Sequence, residues 1–307
     1  MRQSILQRFL HASVVLIGVV LLTFVMLRIV PGNPIETMMG EHADAATVAR
    51  MTAEMGLDQP LYRQFLRYLS SAIRGDFGTS YSLGKPVSQL LGNAFVHTLM
   101  LAILASLFSW MLGIGCGIIC ALTRNRIPDR LFMGFSLMGI SLPVFMSAMF
   151  LQYIFAFRLG LFPISGTDGW QGFVLPAIAL GWNSAGQVAQ MTRTTLLETL
   201  QEDYIETACA KGLGKGGVLI RHALRNAMLP VLTMMAMQFS GLLSGAVITE
   251  TVFSINGIGR LMVQAISGRD IPLLQATSLL ATTLVIFGNF LADCLYSVLD
   301  PRIRREG

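Results

Sequence analysis

Thr98 to Ala121 reads TLMLAILASLFSWMLGIGCGIICA, without one charged side chain. A helix needs about 20 predominantly apolar residues to cross a hydrocarbon core roughly 30 Å thick. This stretch is longer than that, and it predicts a membrane-spanning helix. Downstream, Leu131 to Phe157 is again uncharged and predicts a second such helix, joined to the first by the short basic link Thr123–Arg130. Pro143 inside it predicts a kink, which membrane helices tolerate when neighbours re-satisfy the freed backbone groups.

Four further stretches extend the pattern. Phe9 to Leu27 predicts a first span: Arg2 and Arg8 imitate the charged start of a signal peptide, but the apolar run is too long and no small-residue cleavage site closes it. Phe173 to Met191 is the least hydrophobic of the set, with Asn183, Ser184, Gln187 and Gln190. Polar residues in a helix shielded from lipid either bond neighbouring helices or line a wet path, so Asn183, Gln187 and Gln190 are pore candidates on one of those two readings. Met228 to Thr249 and Ala276 to Leu299 complete six predicted spans. The fold expected is an all-α membrane bundle: residues 1–30 a first transmembrane helix, 31–95 an extracytoplasmic segment, 96–300 a core with a cytoplasmic link at 193–228, and 301–307 a tail. In the segment after the first span, Pro31-Gly32-Asn33-Pro34 ends the membrane helix, and 45–55 and 61–73 read as short helices.

The whole chain agrees with that class. Of 307 residues 53% are hydrophobic and 13% charged, too apolar for a soluble surface. The net charge of +5 would suggest a nucleic-acid partner only if the basic residues shared a soluble face. Instead Arg2 and Arg8, the arginines of 124–130, those of 193–225 and those of 302–305 fall on the side holding both termini. The positive-inside rule makes that side cytoplasmic. The expected partner is a lipid bilayer, with no nucleic acid.

Catalytic chemistry finds no foothold. His11, His42, His97 and His222 are scattered over different segments, and Cys116, Cys120, Cys209 and Cys294 form neither a disulfide framework nor a zinc spacing. Cys116 and Cys120 lie one helical turn apart and read as small packing residues. No phosphate-binding Gly-x-x-x-x-Gly-Lys-Ser/Thr loop occurs, so the chain is expected to hydrolyse no ATP itself. Gly212-x-Gly214-x-x-Gly217 fits a dinucleotide fingerprint on paper, but no strand precedes it. Glu250 and Asp293 are costly in lipid and raise a proton-coupled secondary transporter as the alternative function. Their positions near the two interfaces fit structural pairing as well.

The link between the fourth and fifth spans carries the mechanism. Glu202 to Leu213 predicts a helix, Gly214 to Gly217 a turn, and Val218 to Pro230 a second helix. Ile205, Ala208 and Cys209 share a face, and Glu202, Asp203 and Glu206 sit at the positive end of the helix dipole. A short helix with small residues on one face, tied to two spans, suits docking in a groove on a soluble partner.

Glu206-Thr207-Ala208-x-x-x-Gly212, followed by Leu229-Pro230, resembles the EAA loop of ABC importer permeases, with Thr207 where alanine is commoner. Pro31-Gly32-Asn33-Pro34, Gly56-Leu57-Asp58-Gln59-Pro60-Leu61-Tyr62, Gly75-Asp76-Phe77-Gly78-Thr79-Ser80, Arg221-His222-Ala223-Leu224-Arg225-Asn226-Ala227, Glu250-Thr251-Val252-Phe253 and Leu299-Asp300-Pro301-Arg302 are similar to the dipeptide, oligopeptide and nickel branch of that family. The resemblance covers essentially the whole chain. It implies a six-span type I permease in a bacterial inner membrane, pairing with a second homologous permease, two ATPase subunits that bind ATP and magnesium, and a periplasmic solute-binding protein. It also implies that Asp203, Tyr204, Glu206, Ala208, Lys211, Gly212 and Arg221 make or support the ATPase contact. The cargo implied is a small peptide or a related solute such as nickel or a metal chelate. One departure, Ile255-Asn256 where the branch carries Trp-Pro, is expected to loosen an outer loop.

Overall fold

In the computed structural model, residues 2–29, 44–54, 56, 58–167 and 169–299 are described. The predicted break at 31–34 and the 301–307 tail lie outside them, as does the side chain of Asp293. The described chain is helical throughout its long elements: α1 (Arg2–Ile29), α2 (Ala45–Glu54), α3 (Leu61–Ile73), α4 (Val87–Leu122), α5 (Ile127–Ser141), α6 (Val144–Leu151), α7 (Val174–Thr199), α8 (Asp203–Ala210), α9 (Lys215–Val218), α10 (Leu224–Leu243), α11 (Val247–Val252), α12 (Ile258–Ser267) and α13 (Ile271–Leu299). A wide π-type segment, Gln152–Arg158, continues α6, and another, Leu219–Ala223, joins α9 to α10.

Among the described residues, three helical stretches are long and apolar enough to cross a bilayer, namely 87–122, 215–243 and 271–292, and the pair α5 and α6 supplies a fourth if it is one span. The pair does not form the gently kinked helix predicted for Leu131–Phe157. The two halves meet at 106°. Pro143 disfavours the helical conformation for Leu142, which is extended (φ −82°, ψ 127°), so the chain turns a corner there. Other boundaries differ from the predicted spans in both directions. α4 starts at Val87, eleven residues before Thr98, and the fifth span ends at Leu243, leaving Glu250 on the separate short helix α11.

α7 is the axis of the bundle, packed by α4, α5 and α10. The least hydrophobic of the predicted spans is central because small residues on it and on α4 let the backbones approach. A β-carbon on Gly113 of α4 would sit 2.6 Å from the Val188 side chain and 2.8 Å from the Ala185 carbonyl, and one on Gly117 would meet Thr192 and the Ala189 carbonyl at 2.6 and 2.8 Å. Without water to drive apolar association, such close packing and the dispersion it allows hold membrane helices together. Gly117→Val is therefore expected to force α4 from α7 at a cost of about 1–3 kcal/mol. The thermal midpoint of the detergent-solubilised chain reads this, and a variant melting with wild type would contradict it.

The two ends of the bundle differ. At the basic end, Ala121, Leu196, Ile205, Ala208, Val218, Ala223 and Ala227 form one buried cluster. At the opposite end, α12 and the start of α13 pack on the start of α4 through Val87, Leu91, Ile258, Leu261, Ala265 and Leu273. Asp270 clasps this end. Its Oδ2 accepts hydrogen bonds from the Ser80 hydroxyl (2.6 Å), the Ser82 hydroxyl (2.8 Å) and the Ser82 N–H (3.0 Å), while its Oδ1 caps α13 at the Leu273 N–H (3.2 Å). Burial pushes its carboxyl up, but these donors outweigh it and hold the carboxyl below the usual carboxylate range. A depressed folded value means the clasp contributes its full stability above the unfolded pKa of about 3.9 and loses it as pH falls through the lower folded value. The thermal midpoint should thus drop steeply below about pH 4 in wild type. Asp270→Asn should melt lower at neutral pH, with that acid limb flattened; an unchanged limb would remove Asp270 as its source.

Candidate functional site

The segment between α7 and α10 forms the site at the basic end. Glu202 is extended (ψ 141°) and starts α8, with Asp203 and Glu206 in the first turn, where the helix dipole favours negative charge. The helix ends on Gly212, whose φ of +80° lies in the left-handed region. Gly212 N–H bonds the Cys209 carbonyl (3.0 Å) and Leu213 N–H reaches the Ala208 carbonyl (3.4 Å), a Schellman ending that only glycine enters without strain. The break therefore falls at Gly212, two residues before the predicted Gly214–Gly217 turn. Gly216 and Gly217 are helical, in α9.

Of the residues singled out in this link, Asp203, Tyr204, Glu206, Lys211, Gly212 and Arg221 are exposed. The Tyr204 hydroxyl accepts a hydrogen bond from the Asn226 amide (2.8 Å), tying α8 to the start of α10. Ala208 requires a correction. The expectation was that its small side chain faces a partner, yet it is only 6% exposed and turns with Ile205 into the chain's own basic-end cluster. Small residues on that face let α8 lie flat on its own bundle. The exposed face is the opposite one, charged and aromatic.

A second group at this end escaped the sequence reading. Arg193, near the end of α7, donates from Nε to Asp129 Oδ1 and from a terminal nitrogen to Oδ2, both at 2.9 Å. Asp129 also accepts the N–H of Asn125 (2.9 Å), a residue at φ +64°. This bidentate fork pins the α4–α5 link to the helix that feeds α8. Its one sequence signal is a lone acid in a link whose other charged residues are all arginines.

The pore candidates separate. The Asn183 amide donates to the Gly139 carbonyl of α5 (3.0 Å), which is interhelical packing. Gln187 and Gln190 are exposed and continue through Thr194 and Glu198 as one polar stripe along α7. Gln187 Oε1 accepts from Gln238 of α10 (3.1 Å), so the stripe spans both helices. Elsewhere the exposed side chains of the bundle are mostly apolar, such as Leu107 and Met111 on α4 and Met149 and Phe150 on α6.

At the opposite end, Glu250 is fully buried. Its Oε1 accepts from the Thr98 hydroxyl (2.8 Å) and its Oε2 from the Arg260 N–H (3.0 Å), while Thr98 Oγ1 accepts the Ile258 N–H (2.8 Å). Glu250 thereby caps α12, and a β-carbon at Gly257 would collide with its carboxylate. Ile255, expected to loosen this loop, is fully buried in a cluster with Phe253, Leu101 and Phe173. The departure from Trp-Pro leaves a well-packed loop.

Comparison with known proteins defines the class to which this helical bundle, with α8 exposed between α7 and the stretch 215–243, belongs. The family described as "Binding-protein-dependent transport system inner membrane component" matches residues 113–305, and its N-terminal companion matches 1–109. The chain is 41% identical over 304 residues to the glutathione transport system permease protein GsiC of Salmonella paratyphi A, and 40% identical to that of Escherichia coli, covering 99% of each chain. Among solved structures, the MetNI methionine ABC transporter in an inward-facing conformation aligns with a TM-score of 0.59 and 18% identity, over 69% of this chain and 97% of that one. An amino acid ABC transporter aligns at 0.53 and 16% identity, over 70% and 94%. The chain belongs to the binding-protein-dependent ABC importer permeases of the bacterial inner membrane. Permeases of this family carry no ATPase site, and they work with ATPase and solute-binding partners.

Proposed function

We propose that this chain forms one half of the translocation path of an ATP-driven importer for peptide-like solutes, with glutathione and short peptides as the leading candidates. The observation that carries this reading is α8 itself, a short helix with a charged exposed face, seated on its own bundle by Ile205 and Ala208 and joined to α7 on one side and to the continuous stretch 215–243 on the other. The exposed residues Asp203, Tyr204, Glu206, Lys211 and Gly212 contact one of two ATPase subunits, which bind ATP and magnesium, with Arg221 beside them. A second homologous permease faces the polar stripe of Gln187 and Gln190, because a polar face in a membrane helix belongs against water or protein rather than lipid. A periplasmic solute-binding protein delivers cargo at the opposite end. The clustering of Arg124, Arg126, Arg130, Lys211, Lys215 and Arg225 at one end supports a cytoplasmic position for that end, with both termini inside.

The capping role of Glu250 accounts for its burial, so proton coupling gains no support from it. The test is affinity purification of the tagged chain from mild detergent with its neighbouring subunits, followed by solute-stimulated ATPase assay. Recovery of two ATPases and a second permease, with hydrolysis stimulated by loaded binding protein, is expected. A chain that purifies alone and moves solute under a proton gradient would overturn the proposal.

A further inference from the structure

A cavity of about 410 Å³ opens between the start of α4, the loop before it and α12, at the end opposite the coupling segment. Its size lies within the range of small-molecule sites. Its lining is one-sided in charge: Lys85 and Arg260, with the His97 ring and the amides of Asn93, Asn256 and Gln264, and no carboxylate. The nearby acids are already committed. Glu250 and Asp270 are fully buried, the first engaged by Thr98 and the Arg260 N–H, the second by Ser80, Ser82 and Leu273.

Two of the lining groups are held in place. One terminal nitrogen of Arg260 donates to the Ser254 carbonyl (2.6 Å) and the Asn256 side-chain oxygen (3.1 Å), which fixes the guanidinium at the cavity wall. The His97 ring stacks on Phe173 with centroids 6.2 Å apart, and its Nδ1 pairs with the Asn93 carbonyl (2.9 Å). A fixed guanidinium, an ammonium and three amides around one cavity match the oxygens of a carboxylate, whose planar pair an arginine fork recognises.

We infer that this cavity is a carboxylate-binding subsite at the outer mouth, which receives a free carboxylate of the incoming peptide-like solute. The inference rests on the importer reading for its cargo, but the anion preference of the cavity stands on its lining alone. Arg260 and Lys85 draw the carboxylate in by charge, and the amides orient it. A peptide with its C-terminus amidated loses that hold.

The test uses the full complex in lipid nanodiscs, with Cys209→Ser and Cys294→Ser to remove the native thiols other than the buried Cys116 and Cys120, and Gln264→Cys as the reporter. An anionic sulfonatoethyl methanethiosulfonate is expected to modify the reporter roughly tenfold faster than the cationic trimethylammonium reagent. Adding Lys85→Gln should cut that ratio about threefold. Trialanine should slow the labelling and its C-terminal amide should not. Equal rates for the two reagents, protection by both peptides alike or by neither, or protection that appears only with anionic lipid in the nanodisc would each overturn the subsite. If the partner subunits fail to co-assemble while the chain alone keeps the anion preference and the selective protection, the importer reading fails and the subsite stands.

Discussion

Ala208→Trp is expected to unfold the α8 segment rather than merely to weaken a docking contact. Ala208 is packed among Ile205, Leu196, Val218, Ala223 and Ala227, and its carbonyl accepts the Leu213 N–H that closes the helix. An indole there has no room, and overpacking a filled core costs about 3 kcal/mol or more. The thermal midpoint should fall, and limited trypsin digestion at Lys211 and Lys215 should quicken. Glu206→Ala provides the contrast, because its exposed side chain touches no core. That variant should melt like wild type yet lose roughly tenfold in stimulated ATPase activity, the loss typical of an interface hot spot. If Ala208→Trp melts like wild type and loses only ATPase binding, the inward assignment of Ala208 is wrong.

Asp129→Ala should produce the second large effect. The Asp129 side chain is 7% exposed and that of Arg193 26%, so removing the carboxylate leaves a partly buried guanidinium without its fork and frees the Asn125 N–H. Breaking a fully buried pair costs about 3–5 kcal/mol; the solvent reaching Arg193 lowers the figure here to about 2 kcal/mol. Arg193→Met with Asp129→Leu, which replaces both charges by apolar groups, should recover most of the loss. Thermal melting of wild type, Asp129→Leu, Arg193→Met and the double variant makes a double-mutant cycle, and the absence of recovery would show that the two residues act separately.

What could be read from the sequence was whatever depends on local composition. The span Thr98–Ala121 announces itself by lacking charge, and α3 lies where the break residues Pro60 and Gly75 place it. What could not be read depends on residues far apart in the chain. Glu250 looks like a lone membrane acid until Thr98 and Arg260 are brought to it, from 152 and 10 residues away. Four glycines at 212, 214, 216 and 217 offer equal grounds for a turn, and only the backbone at Gly212 takes the left-handed conformation that ends α8. Ala208 illustrates the same limit: a small side chain suits docking on a partner and docking on its own bundle equally well, and periodicity does not say which. The lone acid in the basic link, Asp129, carried a signal that charge counting alone passes over.

The pinning of α7 by the Asp129–Arg193 fork also sets where this molecule can bend. A helix of 26 residues is a rod about 39 Å long, and the fork fastens it to the α4–α5 corner near the end where α8 is attached. The fork divides the rod into a short arm on the α8 side and a long one toward Phe253 and Ile255. A tilt of only ~5° there would sweep the far end by ~3 Å. Under the proposed coupling, the fork would serve as a fulcrum, and a small stroke at α8 would be magnified at the opposite end.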